Sequence, residues 1–265
     1  MHRSAPRLTR ILACAAAVPA LLVTAACSGG SDDASGGSGG GGSAASQSAP
    51  SAGGSAAPSV KPSPSVKPAK YSKLPDVCKT VGGKTVEDLV PDVKKKGGTA
   101  GESSDLGARA SCSWNGLEDK GVKGSDYRWL DVSLLRFESE QTIGSAEERA
   151  QRKYTDKVAE VQSTEGAKDV SPAETKGVGD EAATLTYKLK KTGEEFRYAV
   201  VVARTENVVI TVSYNGTGYA GAKEPSKEDV VKGAQKAAKE VVAAVAEANG
   251  VGDAGGTAGP SPSGD

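Results

Sequence analysis

Residues 183–214 read ATLTYKLKKTGEEFRYAVVVARTENVVITVSY, and this stretch determines the fold. Apolar and polar residues alternate over 183–190, whereas residues 195–204 and 207–214 are rich in valine and nearly apolar on both faces. Alternation with a period of two is typical of a half-covered strand, and a continuous valine run is typical of a central strand. Because the connections at 191–194 and 205–206 are short, the three segments are predicted to form an antiparallel meander.

Two further strands are predicted before this meander, at residues 107–114 and 128–137. In the second of them Leu130, Val132 and Leu134 alternate with Trp129 and polar residues, which is the pattern of a strand with one buried face. The two segments should pair as a hairpin, and the chain between them, residues 115–126, is predicted to be a loop with three glycines.

Three helices are predicted from their start and stop signals. A short helix around residues 86–90 should end before Pro91. The second opens with Ser145 and Glu148, the spacing of a capping box, and the third begins with Ser226 as its cap and stops at 249–250. Their apolar stripes are Ala146, Ala150, Tyr154, Val158 and Val161 in the second helix, and Val230, Ala234, Ala238, Val241 and Val245 in the third.

These elements predict an α+β fold. Runs of strands with helices kept apart from them favour one domain in which an antiparallel sheet, made of a hairpin and a three-stranded meander, packs against about three helices. All the aromatic residues lie between Tyr71 and Tyr219, so residues 71–249 are expected to form this single domain.

The start of the chain has the layout of a bacterial lipoprotein signal. Three arginines and no acidic residue precede an apolar run that ends in Val-Thr-Ala-Ala-Cys at 23–27. A charged start followed by a short apolar run is typical of a secretory signal peptide, here residues 1–26. Small residues that lead into a cysteine resemble a lipobox, which predicts that Cys27 is acylated and held by membrane lipid. An ordinary signal peptide with a chance cysteine is the alternative.

Low-complexity segments flank the predicted domain. Residues 27–70, which begin with this cysteine, are mostly Ser, Gly, Ala and Pro, and residues 250–265 have a similar composition. Such segments cannot bury enough apolar surface to offset their conformational entropy, so a disordered tether and a disordered tail are expected. Together with the acylated cysteine, they predict a domain held on the extracytoplasmic face of the cell membrane.

Cys78 and Cys112 are the cysteines of the predicted domain. In an exported protein an even pair is most simply a disulfide. A metal site, the alternative, lacks the short cysteine spacing and the histidines that zinc sites use.

Several of these features together resemble a known family. Pro-Asp-Val-Cys at 75–78, Cys-Ser-Trp at 112–114 and Gly-Val-Gly-Asp-Glu-Ala at 177–182 follow a lipobox and a Ser/Gly/Pro tether. This arrangement is similar to the actinobacterial secreted lipoproteins called domain-of-unknown-function family 3558. The resemblance covers about residues 74–249. It implies a cell-surface lipoprotein with a disulfide between Cys78 and Cys112, and it implies no enzymatic activity.

The composition argues against most catalytic chemistry. The only histidine, His2, lies in the predicted signal peptide, so Ser-His-Asp and Cys-His catalysis and His-ligated metal sites are excluded from the mature chain. The mature cysteines are assigned to lipid and disulfide. With 33 basic and 33 acidic side chains, the charge gives no indication of nucleic-acid binding. We therefore expect no enzyme, no catalytic residue, no metal and no cofactor.

Three motifs resemble catalytic or cofactor-binding signatures. Lys-Thr-Gly at 191–193 matches a box of penicillin-binding enzymes, but Ser-x-x-Lys is missing, so a hairpin turn is favoured. The glycines at 177 and 179 resemble a dinucleotide fingerprint without the strand–helix context, which favours a turn. Adjacent carboxylates at 147–148, 180–181 and 194–195 leave a cell-wall glycan hydrolase as the less favoured possibility.

Aromatic residues flank the predicted loop at 115–126. Trp114 is expected to pack in the core, whereas Tyr127 and Trp129 are candidates for a binding rim, because the aliphatic residues of that strand lie on its other face. For Trp129, the sequence supports ligand binding and core packing equally. The sequence thus predicts a non-enzymatic binding or interaction module for an unknown protein or small-molecule ligand. An accessory or sensory subunit of a membrane complex is the alternative.

Overall fold

The structure is a computed structural model that describes residues 65–251. The predicted signal peptide, Cys27, the tether up to residue 64 and the tail beyond residue 251 lie outside the described residues. The predictions made for those segments are therefore not tested by the structure.

Seven strands lie within residues 65–251 and form one antiparallel sheet. They are β1 (Thr99–Ala100), β2 (Arg109–Asp119), β3 (Ser125–Arg136), β4 (Lys168–Glu174), β5 (Glu181–Lys191), β6 (Glu194–Thr205) and β7 (Val208–Tyr219). Their order across the sheet is β1-β2-β3-β7-β6-β5-β4. The predicted hairpin is β2 with β3, and the predicted meander is β5 to β7; pairing of β3 with β7 joins the two. The α+β fold is confirmed.

Two edge strands were absent from the sequence prediction. β1 has two residues, too few for any periodicity to be visible. β4 carries Pro172 and a register shift between Lys168 and Ser171, and its residues are mostly polar. Proline is tolerated on an edge strand, where its missing N–H costs no ladder hydrogen bond. Local sequence rules therefore do not identify this segment as a strand.

The prediction of a loop at 115–126 is wrong. β2 and β3 stay paired from Asn115↔Trp129 to Asp119↔Ser125, and only residues 120–124 form the turn. Gly116, which reads as a loop glycine, lies within β2, and a Cβ there would come within 2.1 Å of the Pro91 carbonyl oxygen. This glycine therefore allows a close backbone approach rather than a loop.

Three helices lie within the described residues: α1 (Gly83–Leu89), α2 (Ala146–Gln162) and α3 (Lys227–Ala248). The capping box of α2 is present, because Ser145 accepts a hydrogen bond from the Glu148 N–H and the Glu148 carboxylate accepts one from the Ser145 N–H. Ser226 caps α3 at its start, and Asn249 is its C-cap residue, where the helix was predicted to stop. Within residues 65–251, no helix combines the length and the apolar character needed to cross a membrane.

The helices lie on both faces of the sheet. α1 and α3 pack on one face, where Trp114 is 2% exposed and its indole N–H donates to the Lys96 carbonyl at 3.1 Å. The expectation that Trp114 packs in the core is confirmed, and the five predicted stripe residues of α3 are all buried. α2 packs on the opposite face through Ala150 and Val161 against β5, β6 and β7. A single helix covers only part of this second face.

The predicted disulfide is present. Cys78 lies in a short 3₁₀ turn, Val77–Lys79, and is bonded to Cys112 of β2, with the two Cα atoms 5.2 Å apart. The bond closes a loop of 34 residues that includes α1 and β1. It therefore attaches the beginning of the domain to the hairpin side of the sheet.

Candidate functional site

A concave cleft of about 650 Å³ lies on the face of the sheet that α2 only partly covers. We call it the aromatic cleft, because five of the residues that line it are aromatic. Four other clefts, of about 410–470 Å³, are lined mainly by charged, small polar or aliphatic side chains. The aromatic cleft is lined by Tyr127, Trp129, Asp131, Lys191, Thr192, Phe196, Tyr198, Ser213, Asn215 and Tyr219.

β3 supplies one wall of the cleft. Its residues Tyr127, Trp129 and Asp131 are two positions apart, so their side chains point to the same face of the sheet. The structure thus brings together Tyr127 and Trp129, the two residues predicted as a binding rim, and both are half-buried in the cleft. Asp131 beside them was not singled out from the sequence.

β6 and β7 form the floor. The residue pairs Trp129↔Asn215 and Asn215↔Tyr198 place these three side chains in one row across β3, β7 and β6. Ser213 lies opposite Asp131 in the next row. Asn215 and Tyr219 were missed because the predicted strand ended at residue 214, whereas β7 continues to Tyr219.

The aromatic rings hold one another in place. The Tyr127 ring meets Phe196 edge-on at 6.0 Å between centroids and Tyr219 at 6.4 Å, and Tyr198 stacks on Tyr187 at 4.7 Å with 8° between the planes. Such pairs stabilise by about 0.5–1.5 kcal/mol beyond area burial. Because Phe196 and Tyr198 are buried, the ring surfaces that face the cleft are fixed before any ligand arrives.

Asn215 is the buried polar residue of the floor. It is 6% exposed and lines the cleft, and no hydrogen bond formed among residues 65–251 involves its carboxamide. The carboxamide atoms are also not among the buried side-chain atoms that lack a partner within residues 65–251, so they are accessible from the cleft and can bond a molecule that enters it. Its burial also argues against the Asn-Gly-Thr sequence at 215–217 serving as a glycan acceptor.

Asp131 is the acidic residue of the cleft. Burial raises the pKa of its carboxyl group above the ordinary value, and the positive charge of Lys157 on α2 opposes this effect. Lys157 itself donates a hydrogen bond to Glu160 at 2.7 Å. Within residues 65–251, no lysine or arginine forms a salt bridge with Asp131, because none has a side-chain nitrogen within 4.0 Å of its carboxylate oxygens. The carboxylate is therefore desolvated without a direct partner.

Lys191 stands at the edge of the cleft on the β5–β6 turn. Its ammonium nitrogen lies 5.3 Å from the centroid of the Tyr198 ring, within cation–π distance. Lys191 and Glu194 are paired, and Thr192 and Gly193 between them have φ angles of 49° and 92°. The Lys-Thr-Gly motif is therefore a two-residue hairpin turn, as predicted.

The glycine motif at 177–182 and its adjacent carboxylates have structural roles. The turn at 177–182 is confirmed, and a Cβ at Gly179 would lie 2.4 Å from the Arg204 carbonyl oxygen, which explains the glycine. Asp180 and Glu181 both form ion pairs with Arg204, at 2.9 Å for Asp180. No cluster of three potential metal-binding side chains occurs among the residues that the structure describes.

Comparison with known proteins adds little. No protein-family model matches the chain, and no curated protein sequence matches it. Among solved structures there is a distant match to the crystal structure of LpqN, described as involved in cell envelope biogenesis of Mycobacterium tuberculosis. It has 13% sequence identity and a TM-score of 0.28, over 52% of this chain and 80% of the LpqN chain. No conclusion about this chain rests on so weak a similarity.

Proposed function

We propose that this chain is an extracytoplasmic lipoprotein of the family 3558 type, and that it binds a small organic molecule in the aromatic cleft without transforming it. The signal peptide, the lipobox ending in Cys27 and the polar tether support the membrane anchor. The three motifs that resemble the family support the assignment of type. The domain is thus presented at the membrane surface with the cleft as its binding site.

One observation carries the binding proposal: half-buried Tyr127 and Trp129 lie in a cleft above Asn215, whose carboxamide is accessible from the cleft and forms no hydrogen bond among residues 65–251. A flat exposed apolar patch would favour a protein partner, whereas a cleft with rigid aromatic walls and a few polar groups is typical of small-molecule sites. The cleft volume of about 650 Å³ lies within the usual range for such ligands.

The non-enzymatic part of the proposal rests on the residues of the same cleft. Asp131 is the only carboxylate among the described residues that line it, whereas a glycosidase uses two opposed carboxylates. The mature sequence contains no histidine to serve as a base near neutral pH. A bound molecule is therefore expected to be released without chemical change.

A thermal-shift screen tests the proposal. The full mature chain with Cys27→Ser, which carries no lipid, is screened against soluble sugars, amines, carboxylates and neutral aromatic molecules. At least one should raise the melting temperature, by an amount that falls in Trp129→Ala and Tyr127→Ala. Val122→Ala, a fully exposed position in the turn of the same hairpin, is the matched control.

Two results would overturn the proposal. A screen in which no molecule binds, or binding that survives both aromatic substitutions, would remove the cleft as the binding site. Chemical conversion of a bound molecule during incubation, measured by mass spectrometry, would show that the protein is an enzyme.

A further inference from the structure

The aromatic cleft has an acidic end. Asp131 lies opposite Ser113 of β2 and Ser213 of β7, so its cross-strand neighbours carry no charge. The positive charge that acts on its carboxylate is that of Lys157, which donates its hydrogen bond to Glu160 instead. A half-buried carboxylate without a direct counter-charge favours a ligand that brings a positive charge or strong hydrogen-bond donors.

The aromatic end of the cleft already holds a cation in the free protein. The Lys191 ammonium group lies over the Tyr198 ring, although the side chain is exposed and extends from a turn. An aromatic face attracts a cation through its quadrupole, and the attraction grows when water is excluded. The ring faces of this cleft therefore attract a cation, and because the Lys191 side chain is exposed, it can move into solvent when a charged ligand enters.

From these two observations we infer that the ligand of the aromatic cleft is an organic cation: an ammonium group attached to an aromatic or apolar body. This inference rests on the proposed function, since it names the ligand class of the same site. The ammonium group would lie between Asp131 and the face of Trp129, within reach of Asn215. The apolar body would extend over Tyr127 and Phe196 toward Tyr219.

Three probes that differ only at one end test the inference. Phenethylammonium, phenethyl alcohol and phenylacetate share a phenyl body and carry a cation, a neutral hydroxyl and an anion. Their dissociation constants are measured by Trp129 fluorescence in the full mature chain with Cys27→Ser. We expect phenethylammonium to bind about tenfold more tightly than the alcohol, which corresponds to about 1.4 kcal/mol, and phenylacetate to bind most weakly.

The variant Asp131→Asn removes the charge and keeps the size of the side chain. It should lower the affinity for phenethylammonium about tenfold, so that the preference for the cation over phenethyl alcohol disappears. Asp126→Asn is the matched control: Asp126 is on the same strand but an odd number of residues away, so it faces the other side of the sheet. It should keep the preference. Lys191→Gln should tighten cation binding severalfold, because it removes a positive charge that repels the ligand's ammonium group within the same cleft.

Each outcome decides the inference. A cation preference that survives Asp131→Asn, or that Asp126→Asn reduces equally, would overturn it. Equal or tighter binding of the alcohol or phenylacetate to the wild-type cleft would also overturn it, yet leave the proposed binding function standing. If none of the three probes binds, the inference fails, and the wider screen then decides separately whether the cleft binds any small molecule.

Discussion

Replacing Asn207 with alanine should be one of the most destabilising polar substitutions in this domain. Asn207 is fully buried and is the second residue of the two-residue β6–β7 turn. Its side-chain oxygen accepts from the Tyr71 N–H at 2.8 Å, and its amide donates to the carbonyl oxygens of Tyr71 at 2.9 Å and Phe137 at 2.8 Å. One side chain thus attaches the beginning of the domain and the end of β3 to the central hairpin.

The expected magnitude follows from these three bonds. Alanine leaves the Tyr71 N–H and the Phe137 carbonyl without partners, whereas the Tyr71 carbonyl keeps a hydrogen bond from Arg136 at 3.4 Å. Each unsatisfied buried group costs about 1–3 kcal/mol, so at the lower end of this range the free energy of unfolding falls by about 2 kcal/mol, which lowers the melting temperature of a domain of this size by about 4–8 °C.

Asn249 provides the matched control. Its side-chain oxygen accepts from the Ser72 N–H at 2.9 Å, and its amide donates to the Lys73 carbonyl at 3.0 Å, but this site is open to water. Asn249→Ala should therefore cost less than about 1 kcal/mol, since water replaces the lost partners. Urea denaturation of both variants, with the slope m compared with that of the wild type, measures the difference. If Asn207→Ala is no more destabilised than Asn249→Ala, the reasoning from buried partners is refuted.

Three further predictions follow from the anchor, the disulfide and the cleft. Reducing the Cys78–Cys112 bond, which closes a loop of 34 residues, should cost about 4 kcal/mol on the chain-entropy model and lower the melting temperature measured by calorimetry; an unchanged melting temperature would contradict this. Cys27→Ser should release the protein into the medium or leave an unprocessed precursor, and a normally processed membrane-bound form on immunoblots would count against the lipobox. Burial raises the pKa of Asp131, so its ionised form destabilises the fold above the folded-state pKa. Asp131→Asn should therefore unfold at a higher temperature than the wild type at neutral pH, and the difference should shrink as the pH falls through that pKa toward the ordinary 3.8; a difference that grows on acidification would refute the sign.

The central strands could be predicted from the sequence because their burial on both faces leaves a visible pattern. Val200, Val201 and Val202 are all buried, since α3 covers one face of β6 and α2 the other. The caps of α2 and α3 were equally visible, because a serine side chain satisfies the free N–H groups at each helix start. The edge strands have no such pattern, because neither burial nor pairing on both sides constrains their residues.

The site was only partly predictable. Tyr127 and Trp129 could be found because they alternate with the buried residues of β3. The end of β7 was missed because Asn-Gly at 215–216 is typical of a turn. In the structure Gly216 lies within the strand, where a Cβ would come within 2.5 Å of the Tyr127 carbonyl oxygen. The cleft itself depends on how far α2 extends over the sheet, which is a tertiary property.

Nuclear magnetic resonance of the two tryptophan side chains decides whether the aromatic cleft is the binding site. Trp129 lines the cleft, whereas Trp114 is buried on the opposite face of the sheet with its indole N–H bonded to Lys96. The ¹⁵N-labelled mature chain with Cys27→Ser is titrated with phenethylammonium and with every molecule that binds in the thermal-shift screen, and Trp129→Phe assigns the two indole signals. We expect the Trp129 signal to shift in proportion to saturation while the Trp114 signal stays in place. Saturable binding that leaves the Trp129 signal unmoved, or that shifts Trp114 instead, would contradict it.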